Sequence, residues 1–203
     1  MNVYSFDMTP RRYEQQRRAE RAAETRQRIV TATMGVHMER GISKTTLRDI
    51  ATAADVSPGT VLRHFPDMAD LVDACGALSM ATFPFPAADV LDGTADGRPR
   101  LRAAVRAIFG YWGAIPQAWP MMAGERMHWP SVERFDAELH ERRRALLDAA
   151  LPRGRGRRRL LAAALAATTW TSLESLHAEG LDLDGATDVV VDVLTTAGTA
   201  PAR

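Results

Sequence analysis

The chain has 203 residues, 46% of them apolar and 25% charged, with a formal net charge of +1. That is length and apolar material for one medium domain, or for a small head joined to a larger body. It excludes a membrane-spanning run and, with a single cysteine, an internal disulfide framework; the opening MNVYSFDMTP also lacks the basic start and apolar run of a secretory leader, so the expected compartment is the cytoplasm.

Charge is unevenly placed. Residues 10–64 hold eleven Lys or Arg against six Asp or Glu, whereas residues 65–203 hold fifteen against eighteen. A basic head on a mildly acidic body points to a polyanion as the partner of the head. Residues 1–24 form a basic arm whose stretch PRRYEQQRRAERAAETRQR, continuing to Arg28, is polar nearly all round. Two readings of it stand: a solvated helix with Glu14, Glu20 and Glu24 pairing with nearby arginines, or an arm lying along phosphates.

An amphipathic helix is expected from about Thr25 to Arg40, with Ile29, Ala32, Thr33, Val36 and His37 on one face and Gly41 as its stop. His37 falls where that face wants bulk and reads as a core histidine. A second helix starts at Thr46, because Thr46-x-x-Asp49 has the order of a capping box with Asp in place of Glu. Its inner stripe is Leu47, Ile50, Ala51 and Ala54. Asp55 is placed to take the left-handed turn, Val56 turns inward, Ser57 caps a third helix and Pro58 occupies its first position. That helix runs to His64 and is stopped by Phe65-Pro66. Two short helices around so tight a turn form a helix-turn-helix, a shape that presents the end of one helix to the major groove. Gly59 and Thr60 are small enough to let that end approach closely, and its free N–H groups favour phosphate.

Residues 66–82 read as a connecting helix and FPFPAADVLDGTADGRP as a mobile Pro- and Gly-rich loop. Helices are expected over 101–112, 131–150, 158–178 and 185–197. Between the first two, IPQAWPMMAGERMHWPSVERF gathers tryptophans, methionines and prolines in broken helical segments. Such a cluster suits an adaptable apolar pocket, and equally a plain core. PRGRGRRR at 152–159 reads as a solvated basic loop, and Cys75 as a small buried apolar group.

From Ile29 through Leu71 the sequence resembles the TetR family of bacterial transcriptional regulators. Arg40-Gly41, Thr45-Thr46, Asp49-Ile50-Ala51, Ala54, Val56-Ser57, Gly59-Thr60 and His64-Phe65 stand where that family's pattern has them. The resemblance implies an all-α protein: an N-terminal three-helix helix-turn-helix DNA-binding domain, here 25–66, joined to a larger helical effector-binding and dimerisation domain, 67–203. It implies a homodimer on a palindromic double-stranded DNA operator, released by a small apolar effector, with the last two helices of each chain as the seam of a four-helix bundle. Matching to the motif makes Lys44, Thr45, Thr46 and Arg48, and then Ser57, Pro58, Gly59, Thr60, Arg63 and His64, the DNA-binding candidates. Thr60 has a thymine methyl or a phosphate as candidate partner, and Arg63 a guanine edge or the backbone. With the resemblance, the aromatic cluster favours a pocket lined by Phe109, Trp112, Trp119, Met122, Met127, Trp129, Phe135 and Trp170, with Glu125 and His128 as polar contacts. Three positions depart from the pattern: Leu62 stands where a phosphate-contacting tyrosine is common, Met68 where a lysine is common, and Asp55 replaces the turn glycine.

The rivals are an effector-binding or interaction module with weakened DNA binding and, less favoured, an all-helical enzyme. No Gly-rich phosphate cradle, metal-ligand spacing or recognisable nucleophile supports catalysis, so no cofactor and no metal are expected.

Overall fold

The computed structural model describes residues 10–199, and the secondary structure among them is entirely helical. The chain divides into two compact units, Met1–Leu78 and Ser79–Arg203. The division falls later than residue 66, inside a helix. None of the described helices is long and apolar enough to cross a membrane.

In the first unit, α1 (Pro10–Arg40) is one helix of 31 residues, starting well before the expected Thr25. The arm is thus helical from Pro10, and residues 12–24 are exposed. Glu20 accepts from Gln16 Nε2 at 3.0 Å rather than pairing with an arginine. Of the expected inner face Ile29, Thr33, Val36 and His37 are buried and Ala32 is half-buried, while Val30, not named from sequence, is buried with them. Gly41, at φ 85°, ends the helix in a conformation that a side chain would oppose.

Helix α2 (Leu47–Ala53) crosses α1, and α3 (Pro58–His64) packs on α2. Ile29, Val30, Ile50, Ala51, Ala54, Val61, Phe65, Leu71 and Cys75 make their common core, with Val56 and Met68 packed partly against it. The Cys75 thiol donates to the Val30 carbonyl, and burial pushes its pKa up to about 12, so it behaves as an inert core group. Arg26 lies over the Phe65 ring at 4.4 Å, a cation–π contact that ties α1 to the end of α3. Helix α4 (Met68–Thr82) carries the chain across the division, its start capped where Asp67 accepts from the Ala69 N–H.

The second unit is built around α5 (Arg98–Ala114), which buries Leu101, Ala104, Val105, Ile108, Phe109, Tyr111 and Trp112. Against it pack α7 (Pro130–Ala150), α9 (Trp170–Ala178) and α10 (Leu183–Thr199), while α6 (Ala118–Glu125) and α8 (Arg157–Ala167) complete the unit. Two expectations are corrected here. The loop before α5 is anchored rather than mobile: Phe85 and Leu91 are buried, a 3-10 turn spans Ala88–Leu91, and Arg100 donates to the Leu91 carbonyl at 3.2 Å. The single helix expected over 158–178 is two, broken at Thr168-Thr169. Thr169 adopts an extended cap conformation and its hydroxyl takes the Ser172 N–H, the bond an Ala in that place would leave to the helix. In the basic loop, Arg157 turns back to donate to the Leu151, Pro152 and Asp148 carbonyls, capping the end of α7.

Candidate nucleic-acid interface and ligand cavity

The helix-turn-helix is held by two side-chain caps. At α2 the Asp49 N–H donates to Thr46 Oγ1 at 3.2 Å, and Asp49 Oδ2 accepts from the Thr46 N–H at 2.9 Å and from its hydroxyl at 2.6 Å. Arg40, at the end of α1, closes the arrangement with a 2.7 Å bond to Asp49 Oδ1. Hydrogen bonds from Thr46, and then the charge of Arg40, hold the Asp49 carboxyl below the usual range. At α3 the Ser57 hydroxyl accepts from the Thr60 N–H at 3.1 Å and shares a 2.9 Å bond with the Thr60 hydroxyl. Asp55, at φ 52°, makes the turn between them.

These caps decide what each candidate residue offers. Val61 and Phe65 point inward and are fully buried. The opposite side of α3 is therefore outward, and Pro58, Gly59, Leu62 and Arg63 are exposed, with Thr60 and His64 half-buried at its edges. Thr46 and Ser57 are exposed but engaged as caps; Thr45 is half-buried and bonds the Gly41 carbonyl at 2.7 Å. Lys44, Arg48 and Arg63 are exposed and make no ion pair with any described residue. Two uncompensated cations, Lys44 and Arg48, thus lie next to the capped start of α2, and a third, Arg63, lies in the last turn of α3. That is a surface suited to phosphate, with the small Gly59 leaving its backbone open.

The second unit contains a cavity of about 370 Å³. Of the eight expected lining residues, Trp112, Trp119, Met122 and Trp170 border it. The other four do not. Phe109 is fully buried in the core, Met127 is 86% exposed, and Trp129 and Phe135 are half-buried elsewhere. Of the two expected polar contacts, Glu125 is buried away from the cavity and His128 is exposed. Sequence reasoning missed the mixed wall contributed by α7, where the polar Asp136, His140 and Arg143 line the space beside Val132 and Leu139. Their spacing places them on one helical stripe, a signal present in the sequence.

The aromatic wall is tightly fixed. Trp112 and Trp119 meet edge to face at 4.7 Å, and Phe85 and Tyr111, neither named from sequence, extend the cluster. Burial raises the Tyr111 pKa to about 12, partly opposed by Arg142. Trp112 Nε1 donates to the Thr168 carbonyl at 2.8 Å and Trp119 Nε1 to the Trp112 carbonyl at 2.7 Å. Both indole N–H groups are thus used internally, and what these rings offer the cavity is apolar.

Comparison with known proteins meets this geometry at the head. Residues 29–75 match the profile described as Bacterial regulatory proteins, tetR family. The chain is 43% identical over 58 residues to the HTH-type transcriptional regulator TtgR of Pseudomonas putida, a match that covers 29% of this chain and only 28% of TtgR. It is 30% identical over 148 residues to the HTH-type transcriptional regulator BetI of Paraburkholderia xenovorans, covering 66% of this chain and 72% of BetI. A solved TetR-family structure from Mesorhizobium loti shares the fold with a TM-score of 0.67 at 17% identity, over 87% of this chain and 98% of that one. The capped helix pair, the profile across it and the long alignment beyond it agree: the chain belongs to the TetR family of bacterial regulatory proteins.

Proposed function

We propose that this protein is a ligand-responsive transcriptional repressor that acts as a homodimer in the cytoplasm. Its two heads bind a palindromic operator, and a small, largely apolar effector in the second-unit cavity releases it. The observation that carries this reading is the outward face of α3, which is held from behind by buried Val61 and Phe65 and flanked by the unpaired cations Lys44, Arg48 and Arg63. A rigidly backed short helix with free cations at its edge is what a groove reader requires. Occupying an operator suffices to block polymerase, so repression needs no further surface. Release is a matter of linkage: an effector that prefers the conformation unable to span two half-sites weakens DNA binding by its difference in affinity for the two states. A regulatory role leaves no chemistry for the chain to catalyse, and neither cofactor nor metal enters the reading.

The test is fluorescence anisotropy with duplex DNA flanking the protein's own gene. Binding should weaken by about tenfold or more between 50 and 200 mM salt, as counterion release at several phosphates demands. Arg63→Ala should weaken it further. One observation favours a second reading, a module with reduced DNA binding: Leu62 is 45% exposed on the outward face of α3, where a donor to phosphate would be expected. Absent or salt-insensitive binding would favour that reading over the repressor.

A further inference from the structure

Among the charged side chains that line the cavity, one guanidinium stands without a counter-ion. Four charged or titratable side chains line it: Arg126, Asp136, His140 and Arg143. Arg126 and Asp136 pair with each other at 3.0 Å, each about half exposed, and cancel. Arg143 has no carboxylate partner among the described residues. Its Nη1 donates to the Thr168 carbonyl at 3.3 Å, and its guanidinium lies 6.0 Å from the centre of the Trp112 ring. Its Nε is buried and has no acceptor among the described residues. Desolvation presses its pKa down, opposed by the more distant charge of Asp136.

A half-buried cation without a counter-ion, with a buried N–H left unsatisfied, is costly unless something completes it. The Thr168 carbonyl cannot do more, since it already accepts from both Trp112 and Arg143. Thr169 and Thr171 also line the space, but their hydroxyls bond each other at 2.8 Å, and His140 is exposed; the rest of the wall is Trp112, Trp119, Met122, Ala123, Val132, Leu139 and Trp170. These offer ring faces and methyl groups. A guanidinium is a fork of N–H donors that matches the oxygens of a planar carboxylate.

We infer that the cavity takes an apolar or aromatic monocarboxylate, its acid group bound by Arg143 and its body packed against Trp112, Trp119 and Trp170. This rests on the reading of the cavity as the effector site and deepens it from an apolar ligand to an amphipathic acid. It also assigns Arg143 the role of selecting charge, while the tryptophans select shape.

The experiment is isothermal titration of the full-length protein with 1-naphthoate and with its uncharged analogue 1-naphthamide. The acid should bind about tenfold or more tightly than the amide, the preference expected of a desolvated charge-assisted pair. Arg143→Gln should abolish that preference by weakening the acid while leaving the amide nearly unchanged. Arg143→Lys should retain part of it, and circular dichroism of both variants checks that they fold. Equal binding of acid and amide to the unaltered protein would overturn the inference and leave an apolar effector cavity standing. Retention of the full preference in Arg143→Gln would overturn it as well. If neither compound binds, both the inference and the cavity reading fail.

Discussion

Asp55 turns the chain between α2 and α3 at φ 52°, the only non-glycine residue among those described with a positive φ. A left-handed residue with a β-carbon is strained, and Asp tolerates it better than Ala because its short carboxylate can bond locally. Asp55→Ala should therefore cost about 1 kcal/mol, whereas Asp55→Gly should keep or slightly raise stability, its relief of strain being set against the freer unfolded chain. Urea denaturation at constant m-value checks the order, and an Ala variant as stable as the Gly variant would show that the turn carries no strain. This turn was readable before the fold was known, as were the Thr46 and Ser57 caps, because each is decided by residues no more than three apart. Arg143 was not readable in the same way. Its role depends on α5, α7 and the α8–α9 junction meeting, and nothing in the sequence around it records which carboxylates lie too far away to pair.

At the scale of the element, helix faces were legible and helix ends less so. The face of α1 was read from its spacing except for Val30, yet its continuity back to Pro10 was not: a solvated helix was one of two readings of that arm, and an almost wholly polar segment carries no periodic apolar signal to join it to the rest. The break between α8 and α9 was hidden for the opposite reason. Alanines and threonines continue through it, and only the Thr169 cap and the carbonyl of Thr168 turned toward Trp112 end the helix. Also unread was a ladder that runs along α5 and α10. Arg98 bonds Asp192, Arg102 bonds Asp188 at 2.6 Å and Asp184 at 3.0 Å, and Arg106 bonds Asp184 at 2.9 Å. Hydrogen bonds from Arg106 and Arg102 hold the Asp184 carboxyl below its ordinary value of 3.8, and Arg102 does the same for Asp188. Because the folded values are depressed, the ladder's contribution is complete above pH 3.8 and is lost as pH falls through the lowered values. An Asp184→Asn, Asp188→Asn double variant should then melt below the unaltered protein at pH 7, with the gap closing in acid and shrinking in high salt because the pairs are exposed. A gap independent of pH would mean that the aspartates act through packing and not through charge.

For the whole molecule, the question is whether α10 presents a surface to a second copy. Its inner side is settled: Ala186, Thr187, Val190, Val191 and Leu194 are buried within the unit. On the other side Val189 is 40% exposed and Val193 59% exposed, one helical turn apart. Scattered apolar residues on a surface are ordinary, but these two align on a helix whose remaining outer positions include the aspartates committed to α5. In a single chain, Val193→Glu would replace an exposed methyl pair by a charge in water and should change the melting temperature little. In the proposed dimer the same change places an uncompensated carboxylate in an apolar seam on both copies at once, since a two-fold interface repeats every residue. The variant should therefore sediment as a monomer at concentrations where the unaltered protein is a dimer, and lose most of its affinity for a two-half-site operator. Its affinity for a single half-site should be unchanged. A Val193→Glu protein that stays dimeric and binds the full operator as before would remove α10 from the interface and return the exposed valines to ordinary surface.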